Sequence, residues 1–398
     1  MYSICELYKI GNGPSSSHTM GPKKATLIFN NTFKEADYAK VYLYGSLALT
    51  GKGHLTDKVI NDTLLVKHEI IFDYKYIPPH PNTLDFVAYK NKKEIGRMRV
   101  YSIGGGAIKI EGEKEEISSE IYLDNSLDEI KKYIKEKKID LCDYVLSIEP
   151  KTFKDYMEKI YYQMLDSINS GLEKEGTIQG RLGIKRKAKM LYEKNVDESL
   201  DEKHLRHLYA YAYAVSEENA DGGLIVTSPT CGSCGVLPAV LRYSLEKDNI
   251  SKENAIRGLI VAGLIGNLVK KNGSISGAEA GCQAEVGTAC AMASAYYAYV
   301  KGCDVNVIDE ASEIALEHHL GLTCDPILGY VQIPCIERNA VAAIRAINAV
   351  KLASLLNSED QKISFDMVVK TMLETGHDIE NKYKETSQGG LAKYYSGE

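Results

Sequence analysis

The chain changes texture near residue 150, and that change limits its fold more than any other feature. Before it, Val41-Tyr42-Leu43-Tyr44, His68-Glu69-Ile70-Ile71-Phe72 and Arg99-Val100-Tyr101-Ser102-Ile103 are short β-branched and aromatic runs separated by Gly, Pro, Asn and Asp, which read as strands and turns. Helices are predicted over residues 56–65 and, in a charged pattern, over 127–138. The segment Ser147-Ile148-Glu149-Pro150-Lys151 reads as the boundary. Beyond it strand signals become rare, and helix-forming stretches cover 152–169, 204–218, 254–270, 285–300, 340–356 and 365–374. The expected architecture is an α+β amino-terminal domain over residues 1–150 followed by an all-α domain over 151–398. The small side chains of Thr288-Ala289-Cys290-Ala291-Met292-Ala293-Ser294-Ala295 predict a deeply packed helix with close neighbours.

Composition narrows the partners. At 398 residues, with 44% hydrophobic residues, the chain is long enough for two ordinary domains. A net charge of −6 argues against nucleic acid or an anionic membrane as the main partner and favours a small ligand. The start, Met1-Tyr2-Ser3-Ile4-Cys5-Glu6, does not read as a signal peptide. The apolar window at 259–269 is too short to span a bilayer. A soluble cytoplasmic protein, most simply a homodimer, is the expectation.

In a reducing cytosol the nine cysteines should be thiols, ligands or catalysts rather than disulfides. Seven of them fall between Cys231 and Cys335. Three lie in Gly- and Pro-punctuated loops: Ala280-Gly281-Cys282-Gln283, Leu322-Thr323-Cys324-Asp325-Pro326 and Ile333-Pro334-Cys335-Ile336-Glu337-Arg338-Asn339. Loops next to helix starts suit thiolate ligands, because a helix amino terminus lowers a thiol pKa and offers amides to sulfur. Buried structural cysteine is the bland reading of any one of them. For three together it is less attractive. Zinc usually closes four ligands with tight pairs, whereas three soft ligands with one open position suit a cluster whose unique iron acts as a Lewis acid.

These cysteine segments, the first extended to Gly281-Cys282-Gln283-Ala284-Glu285-Val286-Gly287, closely resemble the motifs of iron–sulfur-dependent L-serine dehydratases. So do Gly13-Pro14-Ser15-Ser16-Ser17-His18-Thr19-Met20-Gly21-Pro22, Tyr44-Gly45-Ser46-Leu47-Ala48-Leu49-Thr50-Gly51-Lys52-Gly53-His54, His80-Pro81-Asn82-Thr83, Tyr101-Ser102-Ile103-Gly104-Gly105-Gly106 and Tyr383-Lys384-Glu385-Thr386-Ser387-Gln388-Gly389-Gly390-Leu391-Ala392. The resemblance runs over nearly the whole chain and keeps the family's domain order.

The resemblance implies a 4Fe-4S cluster on Cys282, Cys324 and Cys335, with the fourth iron free for the substrate's carboxylate and hydroxyl. It makes His54 the base that removes the α-proton, where alone this residue would read as a surface histidine ahead of a helix. L-serine would then give aminoacrylate, and so pyruvate and ammonia. Ser15, Ser16, Ser17, His18 and Thr19 offer hydroxyls and amides suited to a substrate carboxylate, although such a run is ordinarily a cap or loop. His80 and Asn82 are expected to steady the hydroxyl, and Ser102, Gly104 and Gly105 to bring backbone amides to an anion. The glycine run lacks the GxGxxG spacing of a dinucleotide site. Lys271 or Arg338 is expected to supply positive charge.

One segment departs from the resemblance. Thr230-Cys231-Gly232-Ser233-Cys234-Gly235 stands where Thr-Asn-Gly-Ala-Ala-Gly is expected. Either Cys231 or Cys234 lines the pocket, or the pair is a redox-sensitive modifier of it. The ending Tyr394-Tyr395-Ser396-Gly397-Glu398 lacks the self-inhibiting cysteine known in some relatives. Three rivals are left: the same chemistry on L-threonine or L-cysteine, pyridoxal phosphate chemistry, for which no lysine stands in a recognisable Schiff-base context, and a cluster-based amino-acid or redox sensor.

Overall fold

The computed structural model describes residues 1–113 and 120–395, so Ser396, Gly397 and Glu398 of the cysteine-free ending lie outside the described residues. A five-stranded sheet is followed by a largely helical body, as the change of texture implied. The strands run in the order Lys67–Asp73, Tyr38–Tyr44, Thr83–Lys90, Lys93–Gly104 and Ala107–Ile110 across the sheet. The first pair is parallel and the others antiparallel. Helix Gly21–Thr32 packs on the Lys93–Gly104 strand and on helix Thr56–Thr63. Phe29 stacks on Phe86 at 5.1 Å between ring centroids, inside a core that also holds Val41, Leu43, Ile60, Leu84 and Val100. Alternation explains the strands: in Tyr38–Tyr44, Ala39, Val41 and Leu43 are buried while Tyr38, Lys40 and Tyr42 lie nearer solvent.

The second core is larger, and helix Thr288–Val300 lies within it. Twelve of its thirteen residues are buried. Its alanines keep it thin, and its neighbours Lys252–Asn272, Val305–Glu317, Cys335–Ala353 and Val236–Lys247 approach on several sides. Glycine at 258 is required by that closeness, since a Cβ there would come within 2.8 Å of Tyr296 Cδ2. Residues Met1 to Tyr8 and the helices Leu127–Lys137 and Leu141–Ile148 also pack into this core, together with Tyr122.

Chain crossings bind the two parts. Strand Ile10–Asn12 pairs antiparallel with Leu224–Val226, deep in the helical half of the sequence. Tyr8 Oη donates to the Leu259 carbonyl at 2.8 Å, and Asn219 Nδ2 donates to the Pro14 carbonyl at 3.1 Å. The segment after Pro14 is therefore carried across the helical body before the chain enters the sheet. Among the described residues no helix is long and apolar enough to cross a membrane.

Candidate active site

His54 lies in the connection between the helical turn Ser46–Leu49 and helix Thr56–Thr63. A Cβ at Gly53 would come within 2.7 Å of the Gly329 carbonyl, so only glycine lets this loop press against the helical body. Far from the surface histidine that its local sequence alone would suggest, it is completely buried. Its Nδ1 is 3.1 Å from the Thr50 carbonyl oxygen, which can only accept, so Nδ1 carries the proton and Nε2 the lone pair. Nε2 has no hydrogen-bond partner among the described residues. Burial holds the imidazole down at about 4, so it is neutral near pH 7.

A cavity of about 240 Å³ opens in front of this nitrogen. Ser15, Ser16, Ser17, Gly104 and Gly105 line it from the sheet side, and Cys231, Lys270, Cys282, Glu285, Cys324, Cys335 and Glu385 from the helical side. Gly104 and Gly105 have φ of +98° and +57°, a backbone turn that a β-carbon would strain. Ser102 is not in the wall; it donates from Oγ to the Ser17 carbonyl at 2.7 Å and so holds the serine loop. His18 and Thr19 also turn away from the cavity, toward His54. His80 and Asn82 bond to each other, the Asn82 amide donating to His80 Nδ1 at 3.1 Å, and neither lines the cavity.

The three loop cysteines reach this cavity from separate elements. Cys282 follows Gly281, whose φ is +77°, and precedes the wide turn Gln283–Gly287 that opens helix Thr288–Val300. Cys335 begins helix Cys335–Ala353. Cys324 lies on an extended loop, its amide donating to the Tyr383 carbonyl at 2.8 Å and its carbonyl accepting from the Glu385 amide at 2.7 Å. A Cβ on Gly277 would meet Cys324 Sγ at 3.0 Å, so that glycine keeps space open beside the sulfur. The sequence leads one to expect helix starts that lower these thiols. In the fold burial outweighs that effect and pushes all three up, Cys282 to about 11. Three thiols near enough to influence one another, Cys282 and Cys324 buried and Cys335 half-buried, are a donor set that fits a metal cluster with one open position; Cys231 lines the same cavity without being among the groups that act on Cys324.

Two half-buried carboxyls complete the wall. Glu285 accepts from Thr230 Oγ1 at 2.7 Å and lies 3.8 Å from Cys324 Sγ. Glu385 Oε1 is 3.6 Å from His54 Nε2. Burial pushes both carboxyls up, and the charge of Glu285 pushes Glu385 further. His18, His54 and Glu385 bring ligand atoms within 4.8 Å of one another, but His18 Nε2 already faces the Ser46 and Thr50 hydroxyls. Lys271 points elsewhere and pairs with Glu120 at 2.6 Å. Its neighbour Lys270 is the cation in the wall. Arg338 donates to the Thr323 carbonyl at 2.6 Å and to Asp325 at 3.1 Å, tying the Cys335 helix to the Cys324 loop.

The family model described as "Serine dehydratase alpha chain" matches residues 83–392, and "Serine dehydratase beta chain" matches 3–65. The chain belongs to the serine dehydratase family. It is therefore an enzyme, of the lyase class. The "L-serine dehydratase" of Haemophilus influenzae is 38% identical over 98% of this chain and 99% of its own length. "L-serine dehydratase 2" of Escherichia coli is 37% identical, over 98% of both chains. A Helicobacter pylori "L-serine dehydratase" is 39% identical, also over 98% of both.

In this serine dehydratase, sequence reasoning missed Glu285, Glu385, Lys270 and Thr50. The two glutamates stood inside quoted motifs, Glu285 three residues after Cys282 and Glu385 just ahead of Gly389-Gly390. A carboxylate in a glycine-flanked motif was the available signal. Nothing local distinguishes Lys270 from Lys271; only the helix rotation decides which one faces the cavity.

Proposed function

We propose that the enzyme dehydrates L-serine to aminoacrylate, which tautomerises and hydrolyses to pyruvate and ammonia, and that Cys282, Cys324 and Cys335 hold a 4Fe-4S cluster. The convergence of three cysteine thiols and the unpartnered Nε2 of His54 on one cavity carries this reading. When bound, such a cluster supplies a Lewis-acidic iron to help a poor leaving group depart. The names and full-length similarity of the relatives support the substrate.

His54 Nε2, neutral and fixed in one tautomer by Thr50, takes the α-proton. Ser15, Ser16 and Ser17, with the amides near Gly104 and Gly105, receive and orient the small polar substrate. Lys270 takes over the electrostatic role expected of Lys271, and Arg338 acts by holding the cysteine loops. His80, Asn82 and Ser102 support that wall from behind. Cys231 adds a thiol to it, with Met20 Sδ 3.6 Å away, and Cys234 is buried behind.

A division into residues 1–150 and 151–398 accompanies this reading as a chain-order description. The packing of Tyr122 and the helices up to Ile148 favours counting them with the helical body. The enzyme is taken to work in the cytoplasm, as a homodimer, in amino-acid degradation that can feed gluconeogenesis. Pyruvate formation from L-serine, compared with 2-oxobutyrate from L-threonine and pyruvate plus sulfide from L-cysteine, tests the substrate. One methyl shifts binding by only about 1–3 kcal/mol, so kcat/KM for all three is needed. Borohydride insensitivity is expected; inactivation by borohydride in the presence of substrate would instead favour a Schiff-base cofactor.

A further inference from the structure

The histidine of the Ser-Ser-Ser-His-Thr segment is buried and faces another imidazole, which does not suit a substrate-binding group. His18 stacks on His54 at 4.4 Å between centroids with the rings 27° apart. Its Nε2 lies 3.0 Å from Ser46 Oγ and 3.0 Å from Thr50 Oγ1. Thr50 Oγ1 already donates its proton to the Ser46 carbonyl at 2.9 Å, so toward His18 it can only accept. His18 therefore carries its proton on Nε2.

Thr50 thus contacts both rings. Its hydroxyl fixes the tautomer of His18, and its carbonyl fixes that of His54. Two further hydroxyls close the assembly: Thr19 Oγ1 donates to the His54 carbonyl at 2.8 Å, and Thr56 Oγ1 donates to the His18 carbonyl at 2.6 Å. Ser15 Oγ caps the turn by accepting from the His18 amide at 3.1 Å.

We infer that His18, locked by Thr50, is a positioning residue that holds the His54 ring so that the lone pair of Nε2 faces the cavity. The segment so divides its labour: Ser15, Ser16 and Ser17 face the cavity, while His18 and Thr19 face the base. This rests on the reading of His54 as the base. It goes beyond that reading by removing His18 and Thr19 from the substrate contacts.

The test compares His18→Ala, His18→Phe and Thr50→Val with the wild type in two measurements. The first is steady-state kinetics on L-serine. A misplaced base lowers kcat, by about tenfold to a hundredfold for His18→Ala, with KM within about twofold because no substrate contact is lost. His18→Phe keeps a stacked ring and should recover part of that loss. The second is ¹⁵N–¹H imidazole spectroscopy of the substrate-free protein, which needs no turnover. His54 should be the Nδ1–H tautomer in the wild type and a mixture of tautomers in His18→Ala.

A tenfold rise in KM with unchanged kcat would overturn the inference, because it would make His18 a substrate ligand. So would an unchanged His54 tautomer in His18→Ala. If that variant does not fold, the near-isosteric Thr50→Val decides by the same kcat and tautomer criteria. Should the wild type fail to act on serine, the functional reading falls while the spectra still judge the positioning role.

Discussion

Glu385 Oε1 lies 3.6 Å from His54 Nε2, although 331 positions of sequence number separate 54 from 385. The carboxyl arrives on a carboxyl-terminal segment fastened to the Cys324 loop by the Glu385 amide, by Ser387 Oγ on the Pro326 carbonyl at 2.6 Å, and by the Leu391 amide on Asp325 at 2.7 Å. His54 of one part and a thiol of the other are thereby brought to the same wall.

His54→Ala should lower kcat by about 10²- to 10⁴-fold, the usual contribution of a positioned base. Iron content should stay near that of the wild type, since the cluster is proposed on the cysteines, while loss of the buried, stacked ring should lower the melting temperature. Kinetics beside iron analysis checks this; retained turnover would remove His54 from the mechanism.

The acid side of the activity profile follows from the same burial. His54 titrates at about 4 in the fold rather than near 6.5, so the free enzyme keeps its neutral base well below pH 6. The acid limb of kcat/KM assigned to His54 should therefore lie far below 6.5. The linkage has a definite sign: the unfolded chain takes up this proton first as pH falls, so His54 withdraws stability between about 6.5 and 4. A pH–kcat/KM profile from 4 to 8 reads the first effect; an acid limb at 6.5 would mean a solvent-exposed base.

Glu313 offers an independent check of the fold. It lies one helical turn from both Asp309 and Glu317, and burial followed by repulsion from Glu317 raises its carboxyl to about 7. Its folded pKa exceeds the unfolded one, so it costs stability as pH rises from about 4.5 through 7. Glu313→Gln should raise the melting temperature more at pH 8 than at pH 5. Equal shifts at both would contradict the burial of this carboxyl.

Packing around the central helix is expected to be intolerant of added volume. Gly258→Val should destabilise by about 1–3 kcal/mol, since its β-carbon alone would come within 2.6 Å of Val300 Cγ1 and 2.8 Å of Tyr296 Cδ2. Denaturant melts measure this directly, with a tolerated valine pointing to a looser contact between Lys252–Asn272 and Thr288–Val300.

Much of this architecture was legible in the residues themselves. The β-branched and aromatic run at 41–44 and the small-residue density in 288–295 are local properties, and both became the elements they implied. The meeting of Cys282, Cys324 and Cys335 was legible through loop punctuation and resemblance. Their raised thiols were not, because burial depends on what packs over a helix start rather than on the start itself. That His18 and Lys271 do not line the cavity was hidden for a related reason: a motif names residue types, while helix rotation and ring stacking decide which side chain reaches the cavity. The tie of Met1, Ile4 and Tyr8 to the helical core is also invisible locally, since it joins residues more than 250 positions apart, as between Tyr8 and Leu259.

The most direct test of the central claim is anaerobic purification with iron and acid-labile sulfide measured per chain, beside a visible spectrum and a serine-to-pyruvate assay. A brown protein with iron and sulfide in the proportion of a 4Fe-4S cluster is expected, losing colour and activity together in air or when Cys282, Cys324 or Cys335 is replaced by serine. A colourless, iron-free protein that still makes pyruvate from L-serine after exposure to air would contradict the account.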